Sequence, residues 1–307
     1  MAVEQGVVGV ALEGWTKLPQ DEWPPKKLKI QWGLTVKSRE EVYQQQLETA
    51  RQLSDAFHDA GIRTMVLKGI GLSTYYPNPT HRECNDIDLY LYGKHEQGNA
   101  IAASLGAKVS AFNKKHDHIL LNGFNIDNHI DFMQVNTRKK RALNDALLAL
   151  ADTAEVQYIG NTHLILPPRD FNYVFLLRHA YGHFLIEGIA LRHLLDIYVF
   201  LEHEGSALDW HTINKVLDAG GLRKFSDTVL RLLDVYFGSS FSDGKHLSRG
   251  LLKRIEWDML HEQHQVVYGK TLRQRIAVTW HNRWKYKAFH EGGLCGFLAE
   301  RFLHTKV

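Results

Sequence analysis

The 307-residue sequence predicts an α+β protein, with a small mixed β-sheet flanked by helices up to about residue 166 and helices alone after it. Asn122-Gly123, the dipeptide favoured in a two-residue type I′ turn, joins two β-type arms at 116–121 and 124–133. Asp86-Ile87-Asp88-Leu89-Tyr90-Leu91-Tyr92 alternates with period two, as a strand does. Beyond Pro167-Pro168 the strand signals stop and apolar stretches of helical length follow one another.

In chain order, residues 1–37 hold Trp15, Trp23, Pro24, Pro25 and Trp32 without a sustained period, and are read as an irregular N-terminal arm. From Ser38 a one-faced helix is expected, with Tyr43, Leu47, Ala50, Ser54 and Phe57 on one side and Gly61 as its stop. Ile62 to Leu67 is a short strand that runs into Lys68-Gly69. A brief helical piece from Ile70 to Tyr76 is halted by Pro77-Asn78-Pro79. The Asp86 strand ends at Gly93, and a helix over 95–105 ends at Gly106. In the second hairpin arm Phe124, Ile126, Ile130 and Phe132 share one face, while Asn125, Asp127, His129 and Asp131 share the other. A short strand pair is expected over 155–166. Helices are then expected over Phe171 to His183, Ile189 to Leu201, from Asp209-Trp210, and over 223–237, 248–267 and 271–289. The expected domains are therefore 1–37, an α/β domain over 38–166 and a helical domain over 167–307.

Composition narrows the class. Apolar residues at 44%, charged residues at 23% and a formal charge of +3 are ordinary for a globular chain. Cys84 and Cys295 are the only cysteines, too few and too distant for a disulfide framework or a cysteine zinc site. No apolar run approaches the ~20 residues of a membrane span. Val7 to Leu12 follows Glu4 rather than a basic segment and does not read as a signal peptide, so the expected setting is cytoplasmic with no membrane partner.

Two carboxylates at i and i+2 on a strand face the same way, with Cα atoms ~6.6 Å apart. Asp86 and Asp88 have this spacing, and such a pair can converge on hard divalent cations that also bind substrate phosphates. Upstream, glycine at Gly69 lets a ligand approach the backbone, and Lys68 adds a cation. Downstream, Asp127 lies on a polar strand face with His129 and Asp131 beside it, so either acid can supply a third carboxylate.

Leu67-Lys68-Gly69, Leu72, Tyr75-Tyr76, Arg82 and Asp86-Ile87-Asp88-Leu89 together resemble the signature of the uncharacterised bacterial nucleotidyltransferase family, a branch of the DNA polymerase beta-like superfamily. Asp127-Asn128-His129 resembles its later acid-x-His strand. Arg178-His179 with His183, Leu194-Leu195-Asp196 and Asp209-Trp210 resemble its helical portion. The resemblance spans about residues 40–240. It implies a polymerase-beta-like domain followed by a helical one, and Mg²⁺ (or Mn²⁺) bound by Asp86, Asp88 and Asp127. Asp127 would also orient or deprotonate the acceptor hydroxyl. Lys68 and Gly69 would hold the triphosphate, with Arg82 and His129 as further nucleotide contacts. The family pattern favours Asp127 as third acid; strand alternation admits Asp131. The cradle reads Gly69-Ile70, where the wider superfamily has Gly-Ser or Gly-Gly.

The implied activity is Mg²⁺-dependent transfer of a nucleoside monophosphate, AMP from ATP first, to an unidentified acceptor, with release of pyrophosphate. The acceptor classes are a small hydroxylated molecule, a protein or an RNA. The alternatives are a catalytically inactive nucleotide-binding or interaction protein on the same fold and, behind it, a metal-dependent phosphohydrolase. Other side chains have plainer readings beside functional ones. His179 and His183 are i, i+4 on a helix but lack the glutamate of a zinc-protease motif, so they read as structural or pocket-lining. Arg192 and Asp196 read as a helix-surface pair, on a helix that the resemblance implies borders the nucleotide cleft. His116 and His118 alternate toward one strand face and read as packed or solvated. Residues 243–307 hold 12 Lys/Arg against 6 Asp/Glu. There Lys270, Arg273, Arg275, Arg283, Lys285 and Lys287 interleave with Trp280, Trp284, Tyr286 and Phe289, which reads as a helix with a buried aromatic face rather than a nucleic-acid surface.

Overall fold

Asn122 and Gly123 both take positive φ, 53° and 85°, as a type I′ turn requires. Leu121 therefore pairs with Phe124, and the register of the hairpin β4 (His116–Leu121) and β5 (Phe124–His129) follows from the turn alone. In this computed structural model, which describes residues 1–111, 115–153, 156–244, 247–261 and 272–299, the hairpin belongs to a six-stranded mixed sheet. Its other strands are β1 (Thr64–Val66), β2 (Ile87–Tyr90), β3 (Lys108–Ala111) and β6 (Leu164–Ile165), in the order β3-β4-β5-β2-β1-β6. β2 runs parallel to β5 and antiparallel to β1, and β1 runs parallel to β6.

One face of this sheet is apolar. Ile87, Leu89, Ile119, Leu121 and Ile126 join Ala50, Leu53 and Phe57 of the long helix α2 (Lys26–Asp59) and Ala102 of α4 (His95–Ser104) in one buried core. Asn128 also points that way, and its amide is tied to α4 through the His95 carbonyl (3.0 Å) and Asn99 (2.9 Å). Alternation leaves the opposite face of the central strands to Asp88, Asp127, His118, His129 and His116.

The first 37 residues correct the expectation of an irregular arm. They contain α1 (Val8–Trp15), and α2 starts at Lys26 rather than Ser38. Pro24-Pro25 was read as irregular chain, but a proline needs no amide partner at the head of a helix, and Pro25 stands at that head. Trp15 stacks on Trp32 at 4.1 Å, and His81 is clasped between Glu13 of α1 and Glu40 of α2. The Asp86 strand is also shorter than its alternating run, since Tyr92 takes φ 51° and turns the chain away.

Two compact units are formed, Met1–Gln134 with Leu148–Asn172, and Val135–Leu147 with Tyr173–Val307. Helix α3 (Gly69–Ser73) belongs to the first, and α5 (Arg138–Ala151) runs through the division. The second unit is helical: α6 (Arg169–Ile186, from Tyr173), α7 (Leu191–Glu204), α8 (Trp210–Ala219), α9 (Arg223–Phe237), α10 (Arg249–His261), α11 (Leu272–His281), α12 (Arg283–Phe289) and α13 (Gly293–Leu298). Asp209 caps α8 by accepting from the amides of His211 and Thr212. The basic aromatic stretch has a different division from the expected one. Lys285 is buried with Asp258 at 2.7 Å and Tyr286 is buried, while Trp280 is exposed. Lys270, the Arg275 side chain and the expected helical residues 262–271 lie outside the described residues. No helix among the described residues is long and apolar enough to cross a membrane.

Candidate active site

Parallel pairing of β2 with β5 sets Asp88 directly beside Asp127, and antiparallel pairing of β5 with β4 sets His118 on the other side of Asp127. One step along the strands, Tyr90, His129 and His116 form a second row on the same face. Carboxylates and imidazoles from three strands therefore share one polar face, with the apolar core directly behind it. Asp86 stands half-buried immediately before β2.

Asp88 is the best-held group. It is only 3% exposed, and its Oδ1 accepts from His129 Nε2 at 2.9 Å while Oδ2 lies 2.8 Å from Lys68 Nζ. Burial alone would push this carboxyl up, but the Lys68 ammonium and the His129 hydrogen bond outweigh it and hold the group well below the usual carboxylate range. Burial likewise works against the Lys68 charge, yet Asp88 and Asp86 together raise its pKa. Asp127 moves the other way: burial and the neighbouring Asp88 charge push it up, against the histidines. Its Oδ1 meets His118 Nδ1 at 2.7 Å, and its Oδ2 is 3.5 Å from His116 Nε2.

The turn before α3 closes the site from the β1 side. Gly69 has φ +45°, and a Cβ there would lie 3.3 Å from the Asp86 carbonyl oxygen and 3.9 Å from an Arg82 guanidinium nitrogen. Only glycine fits without strain. Arg82 is buried over this turn and donates to the Glu83 carbonyl at 3.1 Å.

Several expected residues are thus brought together: Lys68, Gly69, Arg82, Asp86, Asp88, Asp127 and His129. His129, expected at a nucleotide phosphate, is 1% exposed, with Nε2 2.9 Å from Asp88 and Nδ1 3.2 Å from the Asp131 carbonyl. Asp131 lies beyond the end of β5 and is in none of the close metal-ligating sets among the described residues. Those sets, with donor atoms within 4.8 Å of one another among the described residues, are Asp88–Asp127–His129 and His116–His118–Asp127 on the sheet. His116 and His118, which read as packed or solvated from sequence, stand on the same strand face as Asp127 and His129. Counting outward from Asn122-Gly123 pairs 118 with 127 and 116 with 129, so the turn alone carried the signal.

A third set, His179–His183–His193, lies in the helical unit. His183 Nδ1 is 3.1 Å from Glu187, whereas His193 Nδ1 accepts the Ala190 amide, which leaves the proton of a neutral His193 ring on Nε2. A neutral ring in that tautomer presents an N–H rather than a lone pair at Nε2. Asp196 is 4% exposed and so is not the surface partner of Arg192 that the i, i+4 spacing suggested.

The set can hold a divalent cation by the chemistry of its donors. Asp88 and Asp127 offer adjacent carboxylates with Asp86 close by, and Lys68 already places a positive charge against Asp88 Oδ2.

Comparison with known proteins adds the following. A family model described as "Uncharacterised nucleotidyltransferase" matches residues 1–238. The solution structure of the antibiotic-resistance factor ANT(2'')-Ia is similar at 11% identity and TM-score 0.41, over 64% of this chain and 98% of that one. An antigenic nucleotidyltransferase-like protein from Paracoccidioides brasiliensis is similar at 12% identity and TM-score 0.39, over 67% and 95%. No curated protein gives a significant match.

Proposed function

The chain belongs to the uncharacterised nucleotidyltransferase family, and from that premise we propose that it transfers a nucleoside monophosphate, AMP from ATP first, to an acceptor hydroxyl or phosphate in a Mg²⁺-dependent reaction that releases pyrophosphate. The observation that supports this most is the lateral pairing of Asp88 with Asp127 across β2 and β5, with Asp86 two residues before Asp88 and Lys68-Gly69 facing them. Asp86, Asp88 and Asp127 are the residues that would hold the cation. Bound there, it would neutralise charge on the reacting phosphoryl group as the acceptor oxygen displaces pyrophosphate in line.

The chain's own groups have distinct parts in this reading. His129 fixes the Asp88 carboxylate from one oxygen, so the other points along a set direction. Lys68 supplies a cation for triphosphate oxygens. Gly69 presents backbone without a side chain, and Arg82 lies against the same turn. Asp127 completes the carboxylate set and orients the acceptor hydroxyl.

The second reading, a nucleotide-binding protein without catalysis, has one observation in its favour. Both oxygens of Asp88 are engaged within the protein, one of them by Lys68. The two readings separate in one assay: incubation with α-labelled ATP and Mg²⁺ against hydroxylated small molecules, a protein extract and RNA. Transfer of label with pyrophosphate release, lost in Asp86→Asn and Asp127→Asn variants that still fold, is the expected outcome. Full activity in Asp86→Asn would refute the assignment, and nucleotide binding with no pyrophosphate across all acceptors would favour the second reading.

A further inference from the structure

We propose that His116, His118 and Asp127 form a binding position for one divalent transition-metal ion of the Zn²⁺, Co²⁺ or Mn²⁺ class, next to the carboxylates assigned above. His116 and His118 are alternate residues of β4 and face the same way, and Asp127 lies directly across from His118 on β5. The hairpin therefore delivers two imidazoles and one carboxylate to one spot, with its register fixed by the Asn122-Gly123 turn.

The distances suit a shared ion. Donor atoms that ligate one metal at about 2.0–2.2 Å stand roughly 2.8–3.6 Å from each other, from octahedral to tetrahedral geometry. His118 Nδ1 to Asp127 Oδ1 is 2.7 Å and His116 Nε2 to Asp127 Oδ2 is 3.5 Å. All three donor atoms lie within 4.8 Å of one another, and the His118 side chain, 32% exposed, has room to turn toward an ion. That exposure also gives an ion and its waters a way in, while His116 is only 7% exposed.

Donor chemistry sets the class of ion. Two imidazole nitrogens with one carboxylate suit first-row transition ions, whereas Mg²⁺ prefers oxygen alone. Asp127 belongs both to this set and to Asp88–Asp127–His129, and it stands on the strand between Asp88 and His118. Asp127 is thus the residue that the two donor sets have in common.

The test uses the full chain, stripped with chelator, exchanged into clean buffer and titrated with Co²⁺ while its visible ligand-field absorption is recorded. The expected result is one equivalent bound, with at least about 10-fold weaker binding in His118→Gln and in His116→Gln. His183→Ala should retain it. His118 is partly exposed, so His118→Gln decides the matter even if the His116 variant does not fold. No Co²⁺ uptake, uptake indifferent to His118→Gln, or uptake lost only in His183→Ala would overturn the proposal. The readout does not involve nucleotide. Co²⁺ bound through these histidines by a protein that transfers no nucleotide would uphold this inference while sinking the functional reading above.

Discussion

Replacing Lys68 with methionine removes the cation from a carboxylate that is 3% exposed. At 2.8 Å the Lys68–Asp88 attraction is about 6 kcal/mol at an effective dielectric near 20, much of it offset by desolvation of both groups. Removing one partner leaves a buried charge behind, and such losses run about 3–5 kcal/mol. His129 still holds the other Asp88 oxygen, which sets the expected cost of Lys68→Met near 3 kcal/mol. For a chain of this size that corresponds to a melting temperature lower by roughly 4–6 °C. The double variant Lys68→Met/Asp88→Asn should cost less than the two single variants together, by about 1–3 kcal/mol. Millimolar Mg²⁺ should raise the melting temperature of Lys68→Met more than that of the parent, because Asp88 then lacks its own cation. Thermal scans with and without Mg²⁺ measure both effects. A Lys68→Met protein as stable as the parent, or an equal Mg²⁺ response in both, would refute the view that lysine stands in for a cation at Asp88.

Gly69→Ala puts a Cβ at φ +45° and 3.3 Å from the Asp86 carbonyl, so it should destabilise the fold by about 1–2 kcal/mol and weaken ATP binding by calorimetry; unchanged affinity would detach this turn from nucleotide. Asp234 is a pH-dependent structural group in the helical unit. Burial pushes its carboxyl up, but donors from Ser242, Ser239 and the amides of Phe241 and Ser242 pull it below the usual range. A depressed folded-state pKa gives stability that is present above the ordinary carboxylate value, about 3.9, and is lost as pH falls through the folded value. Asp234→Asn should therefore flatten the acid limb of stability below about pH 5; an unchanged limb in urea titrations would contradict this. Lys285→Met should cost about 3–5 kcal/mol by stranding buried Asp258, and Lys285→Met/Asp258→Leu should recover most of it. Failure of that recovery in denaturant titrations would mean the pair is more than two compensating charges.

Legibility followed the range of the interactions. The Asn122-Gly123 hairpin and the Asp86-x-Asp88 spacing were readable because turn chemistry and strand alternation act over a few residues. Asp127 was readable as a third acid on a neighbouring strand, yet its place beside Asp88 depends on a parallel pairing across an intervening helix and two strands. The Lys68–Asp88 ion pair needs the antiparallel β1–β2 register, which no local pattern specifies. β3 was missed because all four of its residues are exposed and leave no alternation to read. The helix start at Lys26 was hidden by Pro24-Pro25, which suggests a break and in fact marks an N-terminus. Asp196 shows the limit of spacing arguments: i, i+4 gave the shared face with Arg192, but not that Asp196 is buried.

The central claim is that Asp86, Asp88 and Asp127 gather a cation and a nucleotide at the Gly69 turn. A crystal structure of the protein with Mg²⁺ and a non-hydrolysable ATP analogue tests it most directly. An ion is expected at about 2.0–2.1 Å from oxygens of these carboxylates, with the triphosphate along Lys68 and Gly69 and the Lys68 ammonium moved from Asp88 onto phosphate. A nucleotide bound away from this sheet face, or Asp88 still closed on Lys68 with nucleotide present, would contradict it.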